Sequence, residues 1–346
     1  MQRMVLGRTG LEAYRLGFGG IPIQRVNETA AVATVRHALE QGLDFIDTSR
    51  AYTTSERRIG KALKEFQKAS GNDAHRVIVA SKSYETTASA VRADLETSLQ
   101  ELDLDHIHLY QCHFVRDDEE YETVTDPGGA LEGLRNAKEE GLIGHIGITS
   151  HSQDVLERAV EDGLFDTIMV CFSFLEPQAR EKLIPRALDR DVGVLAMKPF
   201  SGGVIQDAEL GLRFALSEPG VLVLAGVESQ GLFDENWGTF RAGVPLSETD
   251  RARIAEIQRV HDKVFCRRCD YCQPCSEGIP IQLVLGTRSL VKRLGLKALM
   301  DGPFGEGIEK GRNCTECGDC ITRCPYDLPI PDLIRENLRW LDEQTG

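Results

Sequence analysis

Cysteines are the residues of this chain whose spacing most directly suggests chemistry. Eight of the ten cysteines lie in two short runs in the last quarter of the sequence. The first run has two residues between neighbours: Cys266, Cys269, Cys272 and Cys275. The second run has three residues before its last cysteine and a proline after it: Cys314, Cys317, Cys320 and Cys324. Thiolates at the second spacing hold iron–sulfur clusters, three on one cluster and the fourth on another. The two runs therefore predict two [4Fe–4S] clusters, with Cys275 and Cys324 each crossing to the other run's cluster.

Two other uses of clustered cysteines fit this pattern less well. Disulfides need an oxidising compartment; no apolar signal segment follows Met1, so we expect a cytoplasmic protein. A structural zinc site usually combines two distant cysteine pairs, whereas each run here has four closely spaced cysteines. The second run has the spacing of bacterial ferredoxins, and the first departs from it because Ser276 replaces the proline.

A second set of reactive side chains lies in the first third of the chain, at the ends of successive predicted strands. These residues are Asp47, Tyr52, Lys82 and His113. A neighbouring ammonium favours the phenolate form of a tyrosine, so Lys82, held by Asp47, would let Tyr52 give a proton to a carbonyl oxygen near neutral pH. His113 could donate a hydrogen bond to that oxygen as negative charge develops on it.

The elements that must position these residues alternate between apolar strands and amphipathic helices. Eight strand–helix units run from residue 16 to about 242, and strands such as Val77–Ser83 are apolar almost throughout. This pattern indicates a parallel sheet covered on its outer face. Eight such units predict an α/β protein with a (β/α)8 TIM barrel rather than an open doubly wound sheet. The chemistry then belongs at the carboxyl ends of the strands.

The length of the chain leaves room for a second domain, because a TIM barrel takes about 250 residues. We expect the barrel over residues 1–246, a linker helix over 247–264, and a small, mainly α, ferredoxin-like iron–sulfur domain with a C-terminal helix over 265–346. Between the cysteine runs, an apolar period near 3.6 predicts a helix over Ile279–Met300. The acidic stretch within Val115–Pro127 is interpreted as a solvated loop.

Composition excludes two classes of partner. The formal net charge of −14 argues against nucleic acid, because phosphate binding needs clustered Lys and Arg. No apolar run approaches the roughly 20 residues of a membrane span, so we expect no membrane partner.

Several motifs together resemble the aldo-keto reductases over residues 3 to about 242. They are Gly42–Thr48, Tyr52 followed by Ser55–Leu63, Ser81–Lys82 and Leu109–His113. The resemblance implies a barrel that binds a nicotinamide cofactor and interconverts an aldehyde or ketone with an alcohol, with Tyr52 as the acid and the other three residues supporting it. With its cysteine runs, the chain is similar to the branch of that family carrying a C-terminal dicluster ferredoxin domain.

The same resemblance implies the cofactor contacts. Thr149 and Ser150 occupy the positions that contact the nicotinamide carboxamide, and Glu235 and Asn236 those that contact adenine. Further implied contacts come from the segments after the seventh and eighth strands: Lys198, Gly226 and Glu228.

Some positions depart from the family pattern. Met169 and Met197 stand where a glutamine and a tyrosine are usual. Glu228 and Leu232 stand where a lysine and an arginine hold the 2′-phosphate of NADP. A carboxylate would repel that phosphate and could accept from a free ribose hydroxyl. We therefore expect NAD(P)H as cofactor, with weak NADP selectivity.

Two functions remain open on the sequence. The first is a nicotinamide-dependent oxidoreductase for a small carbonyl or alcohol substrate, whose clusters exchange electrons with an external ferredoxin or flavoprotein, or only hold the domain in shape. Hydride transfer moves two electrons and a cluster passes one, so a flavin could intervene, although no motif indicates one. The alternative is a redox sensor or electron relay that keeps the barrel only for cofactor binding.

Overall fold

The computed structural model of the protein describes residues 2–71 and 77–345, so that Met1, residues 72–76 and Gly346 lie outside the described residues. The chain separates into two compact units, Met1–Ser247 and Glu248–Gly346. No helix of the described ranges is both long and apolar enough to cross a membrane.

The first unit is a closed parallel barrel preceded by an antiparallel hairpin. The hairpin is formed by β1 (Arg3–Val5) and β2 (Glu12–Tyr14). The barrel strands are β3 (Leu16–Gly19), β4 (Phe45–Asp47), β5 (Ile78–Ser83), β6 (Ile107–Cys112), β7 (Ile143–Thr149), β8 (Thr167–Cys171), β9 (Gly193–Met197) and β10 (Val221–Gly226). Each pairs in parallel with the next, and β10 pairs with β3. The predicted eight-stranded barrel is confirmed.

Nine helices of the described residues accompany these strands. They are α1 (Glu28–Glu40), α2 (Ser55–Ser70), α3 (Ala88–Leu102), α4 (Asp118–Thr125), α5 (Ala130–Glu139), α6 (Gln153–Asp162), α7 (Leu183–Asp189), α8 (Ala208–Leu216) and α9 (Gln230–Ala242). Most begin at a polar cap; the Asn27 side chain, for example, accepts from the Ala30 N–H at 2.8 Å and so satisfies a backbone donor of the first turn.

Helix α4 corrects the expectation of a loop over Val115–Pro127. The Asp117 side chain caps the helix by accepting from the Glu120 N–H at 2.9 Å. The acidic residues that follow lie in the first turn, where negative charge is favoured by the helix dipole. A run of carboxylates that looked like a solvated loop is therefore a helix start.

The hairpin closes the amino end of the barrel. Leu6, in the turn between β1 and β2, belongs to an apolar cluster with Phe45, Leu109 and Leu195 of the barrel strands. The turn passes so close to β9 that a Cβ on Gly7 would overlap the backbone of Gly193, so that position requires glycine. The opposite, carboxyl end of the strands is left for the functional site.

The second unit contains only helices and loops among its described residues. The helices are α10 (Glu248–His261), α11 (Ile281–Leu285), α12 (Thr287–Leu294), α13 (Leu296–Met300), α14 (Pro303–Glu309), α15 (Asp319–Thr322) and α16 (Ile330–Thr345). The single helix expected over Ile279–Met300 is wrong, because three short helices occupy that stretch. Gly286 and Gly295 separate them, and Gly295 has a φ of 80° that interrupts helical geometry.

The core of the second unit includes two of the clustered cysteines. Cys272 and Cys324 are buried with apolar residues of the short helices. Helix α16 contributes one apolar face to the same cluster: Leu333, Ile334, Leu338 and Leu341. The thiols are therefore part of this unit's packing.

Candidate functional site

A buried ion pair lies at the carboxyl ends of β4 and β5. The Lys82 ammonium donates to both oxygens of the Asp47 carboxylate, at 2.7 and 2.6 Å, and to the Thr48 carbonyl at 2.7 Å. Lys82 is only 1% exposed, so water screens this pair little. Burial raises the pKa of Asp47, and the Lys82 ammonium and the Gln111 amide oppose that shift. The three acceptors fix the ammonium in one position.

Tyr52 lies beside that ammonium, in the loop between β4 and α2. The Lys82 nitrogen is 5.1 Å from the centroid of the Tyr52 ring. The backbone of Tyr52 is held in a tight turn, donating to the Ser49 carbonyl at 3.0 Å and accepting from the Ser55 N–H at 2.8 Å. The phenol is thus presented on a short loop that begins directly after the Asp47 strand.

His113, directly after β6, completes the group. Its ring meets the Tyr52 ring edge-on, with centroids 5.8 Å apart, and stacks on the Tyr84 ring at 4.1 Å. Its Nδ1 is 3.0 Å from the Ser49 hydroxyl. Burial lowers the pKa of His113 well below its usual range, and the Lys82 and Lys198 charges lower it further. The imidazole is therefore neutral near pH 7. The structure brings together all four side chains that the strand ends suggested.

The loop that carries Tyr52 is anchored by a second buried carboxylate. Glu56, 2% exposed, accepts from the Ser81 hydroxyl at 2.6 Å and pairs with the Arg50 guanidinium. The Arg50 N–H also donates to the Lys82 carbonyl at 3.0 Å. These contacts tie both ends of the loop to β5, so the position of Tyr52 depends on Glu56.

Three residues that contact this group were not predicted from the sequence. Gln111, fully buried in β6, donates to Asp47 at 3.5 Å. Ser49 contacts the imidazole, and Tyr84 covers its face. Gln111 had a detectable signal, since it is a polar residue inside an apolar strand, whereas loop residues such as Ser49 and Tyr84 had none.

The residues implied to contact the nicotinamide lie near His113, at the end of β7. The Thr149 hydroxyl accepts from the Phe114 N–H at 2.7 Å. The Ser150 hydroxyl donates to the Val115 carbonyl at 2.5 Å and accepts from the Ser152 N–H at 2.9 Å. Because a hydroxyl carries a single proton, the Ser150 proton is already donated to the Val115 carbonyl, whereas the Thr149 hydroxyl accepts in the bond with Phe114.

The two methionines that depart from the family pattern lie in the barrel interior. Met169 is buried in the apolar cluster that fills the barrel, and Met197 packs against it. Lys198 follows β9 with a φ of 59°. Its ammonium is 2.6 Å from Nε2 of His151, in the loop after β7.

The implied nucleotide contacts after β10 differ in exposure. Gly226 ends β10 beside Gly19 of β3. On α9, Asn236 is buried whereas Glu235 is exposed, so the two present different faces of the helix. Glu228 forms an exposed ion pair with Arg25 at 3.4 Å. No sequence pattern indicates this partner, because the two residues are distant along the chain.

The eight clustered cysteines fall into two groups of four. Burial raises the pKa of Cys269 to about 11, with added contributions from Cys266 and Cys324. Burial also raises the pKa of Cys272 to about 12, again with Cys266 and Cys269 contributing. We call this the first thiol group: Cys266, Cys269, Cys272 and Cys324.

The second thiol group has the complementary composition: Cys275, Cys314, Cys317 and Cys320. Its members line one small cavity. Burial raises the pKa of Cys320, and Cys314, Cys317 and Cys275 add to the shift. Each group therefore takes three thiols from one run and one from the other. A hydrogen bond from Arg323 to the Pro274 carbonyl, at 2.9 Å, joins the two runs next to Cys275.

Within the described ranges, no three His, Cys, Asp or Glu side chains converge closely enough to hold a metal ion.

Comparison with known proteins assigns the barrel. A model of the aldo/keto reductase family matches residues 15–211, more than half of the chain. L-galactose dehydrogenase of Arabidopsis thaliana is 33% identical over 219 residues, covering 58% of this chain and 66% of that protein. A probable aldo-keto reductase of Glycine max is 26% identical over 215 residues, covering 59% of this chain and 60% of that protein. The chain thus spans slightly less than two thirds of these relatives.

A solved structure agrees on the fold. An aldo-keto reductase from Bacillus halodurans, in its holo form, superposes with a TM-score of 0.62 and 24% identity, covering 74% of this chain and 96% of that one. The family match runs from β3 to beyond β9 and contains Asp47, Tyr52, Lys82 and His113. The chain belongs to the aldo/keto reductase family.

Proposed function

We propose that the barrel is an NAD(P)-dependent oxidoreductase that interconverts an aldehyde or ketone with the corresponding alcohol. The observation that carries this proposal is the Lys82 ammonium, held by Asp47 and placed 5.1 Å from the Tyr52 ring centroid. A reduced nicotinamide bound at this end of the barrel would supply the hydride. The chain's own residues must then supply a proton and stabilise the oxygen that receives it.

Tyr52 is the proposed proton donor in reduction and the acceptor in alcohol oxidation. An isolated tyrosine titrates near pH 10, and a neighbouring positive charge in a poorly screened site favours its phenolate. The ammonium of Lys82 has no freedom to move away, because three oxygen atoms hold it. The Lys82 ammonium is therefore held at one position beside the phenol that exchanges the proton.

His113 is the proposed hydrogen-bond donor to the same substrate oxygen. A neutral imidazole donates from only one nitrogen. The Ser49 hydroxyl lies 3.0 Å from Nδ1 of His113 and 3.1 Å from the Lys82 carbonyl, and the proposed role requires that its proton be given to Nδ1. The imidazole proton then lies on Nε2. Ser49 is in this way a positioning residue that selects the tautomer.

Replacing Tyr52 by phenylalanine tests the function. We expect Tyr52→Phe to lower kcat for aldehyde reduction by about 10²- to 10⁴-fold, the usual contribution of general acid catalysis. Tyr14→Phe, at the amino end of the barrel, is the matched control and should leave kcat unchanged. Retention of full reductase activity in Tyr52→Phe would refute the proposal, and an electron relay would keep any cluster-dependent activity in that variant.

We further propose weak selectivity for NADP. The Glu228 carboxylate disfavours a 2′-phosphate, but the Arg25 guanidinium beside it offers an opposing positive charge. Exposed pairs of this kind contribute about 1 kcal/mol or less. Titration of the protein with NADH and NADPH should give dissociation constants within about tenfold of each other. Clearly tighter NADPH binding would contradict the proposal.

For the second unit we propose a ferredoxin-like domain over residues 265–346 that holds two [4Fe–4S] clusters, one in each thiol group. Clusters held there would supply one-electron transfer to an external ferredoxin or flavoprotein. The composition of the two groups, three thiols from one run and one from the other, supports this assignment. Anaerobically purified protein, analysed together for iron, sulfide, zinc and flavin, should contain about eight irons per chain by the cluster formula. Zinc in their place would refute it.

Whether the proposed clusters accept electrons during turnover can be tested separately from whether they are present. Stopped-flow mixing of the protein with oxidised cofactor and an alcohol should bleach the cluster absorbance within one turnover. Clusters that stay oxidised under these conditions would instead have a structural role.

A further inference from the structure

A lysine–histidine pair lies next to the tetrad and is not used by the proposed proton chemistry. The Lys198 ammonium is 2.6 Å from Nε2 of His151. An ammonium can only donate, so Nε2 accepts, and the proton of the neutral imidazole lies on Nδ1. The pair therefore presents N–H donors and one positive charge, rather than two cations that repel each other.

This pair shares a wall with the catalytic residues. The His151 ring contacts the Phe114 ring, with centroids 4.5 Å apart, and Phe114 meets Tyr84 at 6.4 Å. Tyr84 in turn stacks on His113 at 4.1 Å. The rings of Tyr84 and Phe114 thus connect the proton-transfer end of the site to the Lys198–His151 end.

The electrostatic effect of Lys198 also indicates that the Lys198–His151 pair lies beside the tetrad. Lys198 is among the groups that lower the pKa of His113, so its charge acts on the group of residues around Tyr52 and His113. The side chain crosses from the end of β9 to the loop after β7. The residues implied to bind adenine lie on α9, after β10, which is the opposite direction around the barrel.

We propose that the Lys198–His151 pair binds a carboxylate of the substrate, so that the enzyme acts on carbonyl acids and the corresponding hydroxy acids. This inference rests on the proposed function. A half-buried ammonium forms its strongest hydrogen bonds with an anionic oxygen. The aromatic wall between the pair and His113 offers an apolar surface for the carbon skeleton that joins carboxylate to carbonyl.

A matched pair of probes tests the inference. 4-Carboxybenzaldehyde carries the carboxylate, and methyl 4-formylbenzoate carries a neutral ester of similar shape. We expect Lys198→Met to lower kcat/KM for the acid by about tenfold or more, with the ester changed less than about threefold. Lys198→Arg should retain most of the preference, and His151→Phe should reduce it. Lys182→Met, on an exposed ion pair with Glu157, is the control and should change neither value.

A rival interpretation is that the pair binds the cofactor pyrophosphate rather than a substrate carboxylate. A measurement of cofactor binding distinguishes the two. In the proposed arrangement the dissociation constant of NAD(P)H is unchanged in Lys198→Met. Weaker cofactor binding together with equal losses on both probes would overturn the inference.

A binding measurement separates this inference from the proposed function. Terephthalate, the dicarboxylate analogue of the acid probe, should bind the wild type more tightly than Lys198→Met in calorimetric titration, whether or not the protein turns over aldehydes. Equal binding would overturn the carboxylate site. Absence of reductase activity towards both aldehydes in the wild type would count against the proposed function alone.

Discussion

The barrel and the cysteine unit hold their reactive side chains in opposite ways. In the barrel, residues from the ends of three strands meet, and hydrogen bonds hold them in place; Lys82 alone makes three, all within 2.7 Å. In the second unit, the thiols come from two short runs, and the helices between those runs are five to eight residues long. Cys272 and Cys324 are themselves core residues there.

This difference indicates which unit can stand without a ligand. A closed sheet satisfies its own backbone groups and buries a continuous apolar interior, so the barrel builds its site on a finished scaffold. A domain of about 80 residues with short helices has little core of its own and often depends on bound metal. We therefore expect the barrel to fold without its cofactor and, on the proposal that the thiols hold clusters, the second unit to require those clusters for its fold.

On the proposal of two iron–sulfur clusters, removal of iron should produce the largest effect. Chelation under anaerobic, reducing conditions should unfold α11–α14, because structural metal sites contribute on the order of 10 kcal/mol to folding. Hydrogen exchange should rise throughout these helices and stay unchanged in β3–β10. Unchanged protection of α11–α14 in the iron-free protein would show that the second unit folds without a ligand.

The second prediction concerns the barrel ion pair. Lys82→Met should lower kcat for carbonyl reduction at least about 10²-fold and lower the free energy of unfolding by about 3–5 kcal/mol, because Asp47 is left buried without its cation. The double variant Asp47→Leu/Lys82→Met should recover part of the stability and none of the activity. Full recovery of activity would show that the pair is structural only.

Each unit has its own reporter for such unfolding experiments. The chain has two tryptophans, Trp237 in α9 of the barrel and Trp340 in α16 of the second unit. Fluorescence of a Trp340→Phe background therefore follows the barrel alone. Loss of stability in that background, with no change in the Trp237→Phe background, would assign the effect of Lys82→Met to the barrel.

The third prediction sharpens the assignment of the thiol groups. Cys324→Ser should disturb the cluster of the first run, and Cys275→Ser that of the second run, each lowering iron content by up to about half of the eight-iron total. Electron paramagnetic resonance of the two reduced variants should show different remaining signals. Cys171→Ser, in β8, is the control. Crossing predicts that Cys324→Ser keeps the same signal as Cys269→Ser; the same signal as in Cys317→Ser would show that the last cysteines do not cross.

The smallest expected effect concerns the pH dependence of the barrel's free energy of unfolding. Because the pKa of His113 in the folded protein lies below its unfolded value, the unfolded chain binds more protons below about pH 6.5, and stability falls as pH drops below that value. The slope reaches up to about 1.4 kcal/mol per pH unit. His113→Gln should flatten it in urea denaturation between about pH 5 and 7. An identical slope in that variant would show that His113 titrates normally.

The sequence predicts the barrel well for a physical reason. Buried parallel strands are apolar runs, and the residue that follows each run must lie at one common edge, so Asp47, Lys82 and His113 could be placed together without coordinates. Loop conformations carry no such period. Ser49 and Tyr84 reach His113 through a turn and a stacked ring, and nothing in their spacing indicates either contact.

In the second unit, the grouping of the site residues is easier to predict than the helices that surround them. Cysteine spacing predicts which thiols belong together, because short runs can only surround a common centre in a few ways. The helices between the runs were predicted less well, since Gly286 and Gly295 divide one amphipathic stretch into three helices. The apolar periodicity identified the buried face of this stretch but not the positions at which the helix is interrupted.

The crossing of Cys324 into the first thiol group has a consequence for biosynthesis. The last barrel strand ends at Gly226, so the whole sheet can leave the ribosome and close while the cysteine runs are still being made. The first thiol group stays incomplete until residue 324 has been translated, although three of its members are translated by residue 272. On the proposal of two clusters, neither centre could be loaded with iron before the last run has been translated, and a truncated chain that lacks that run would complete neither.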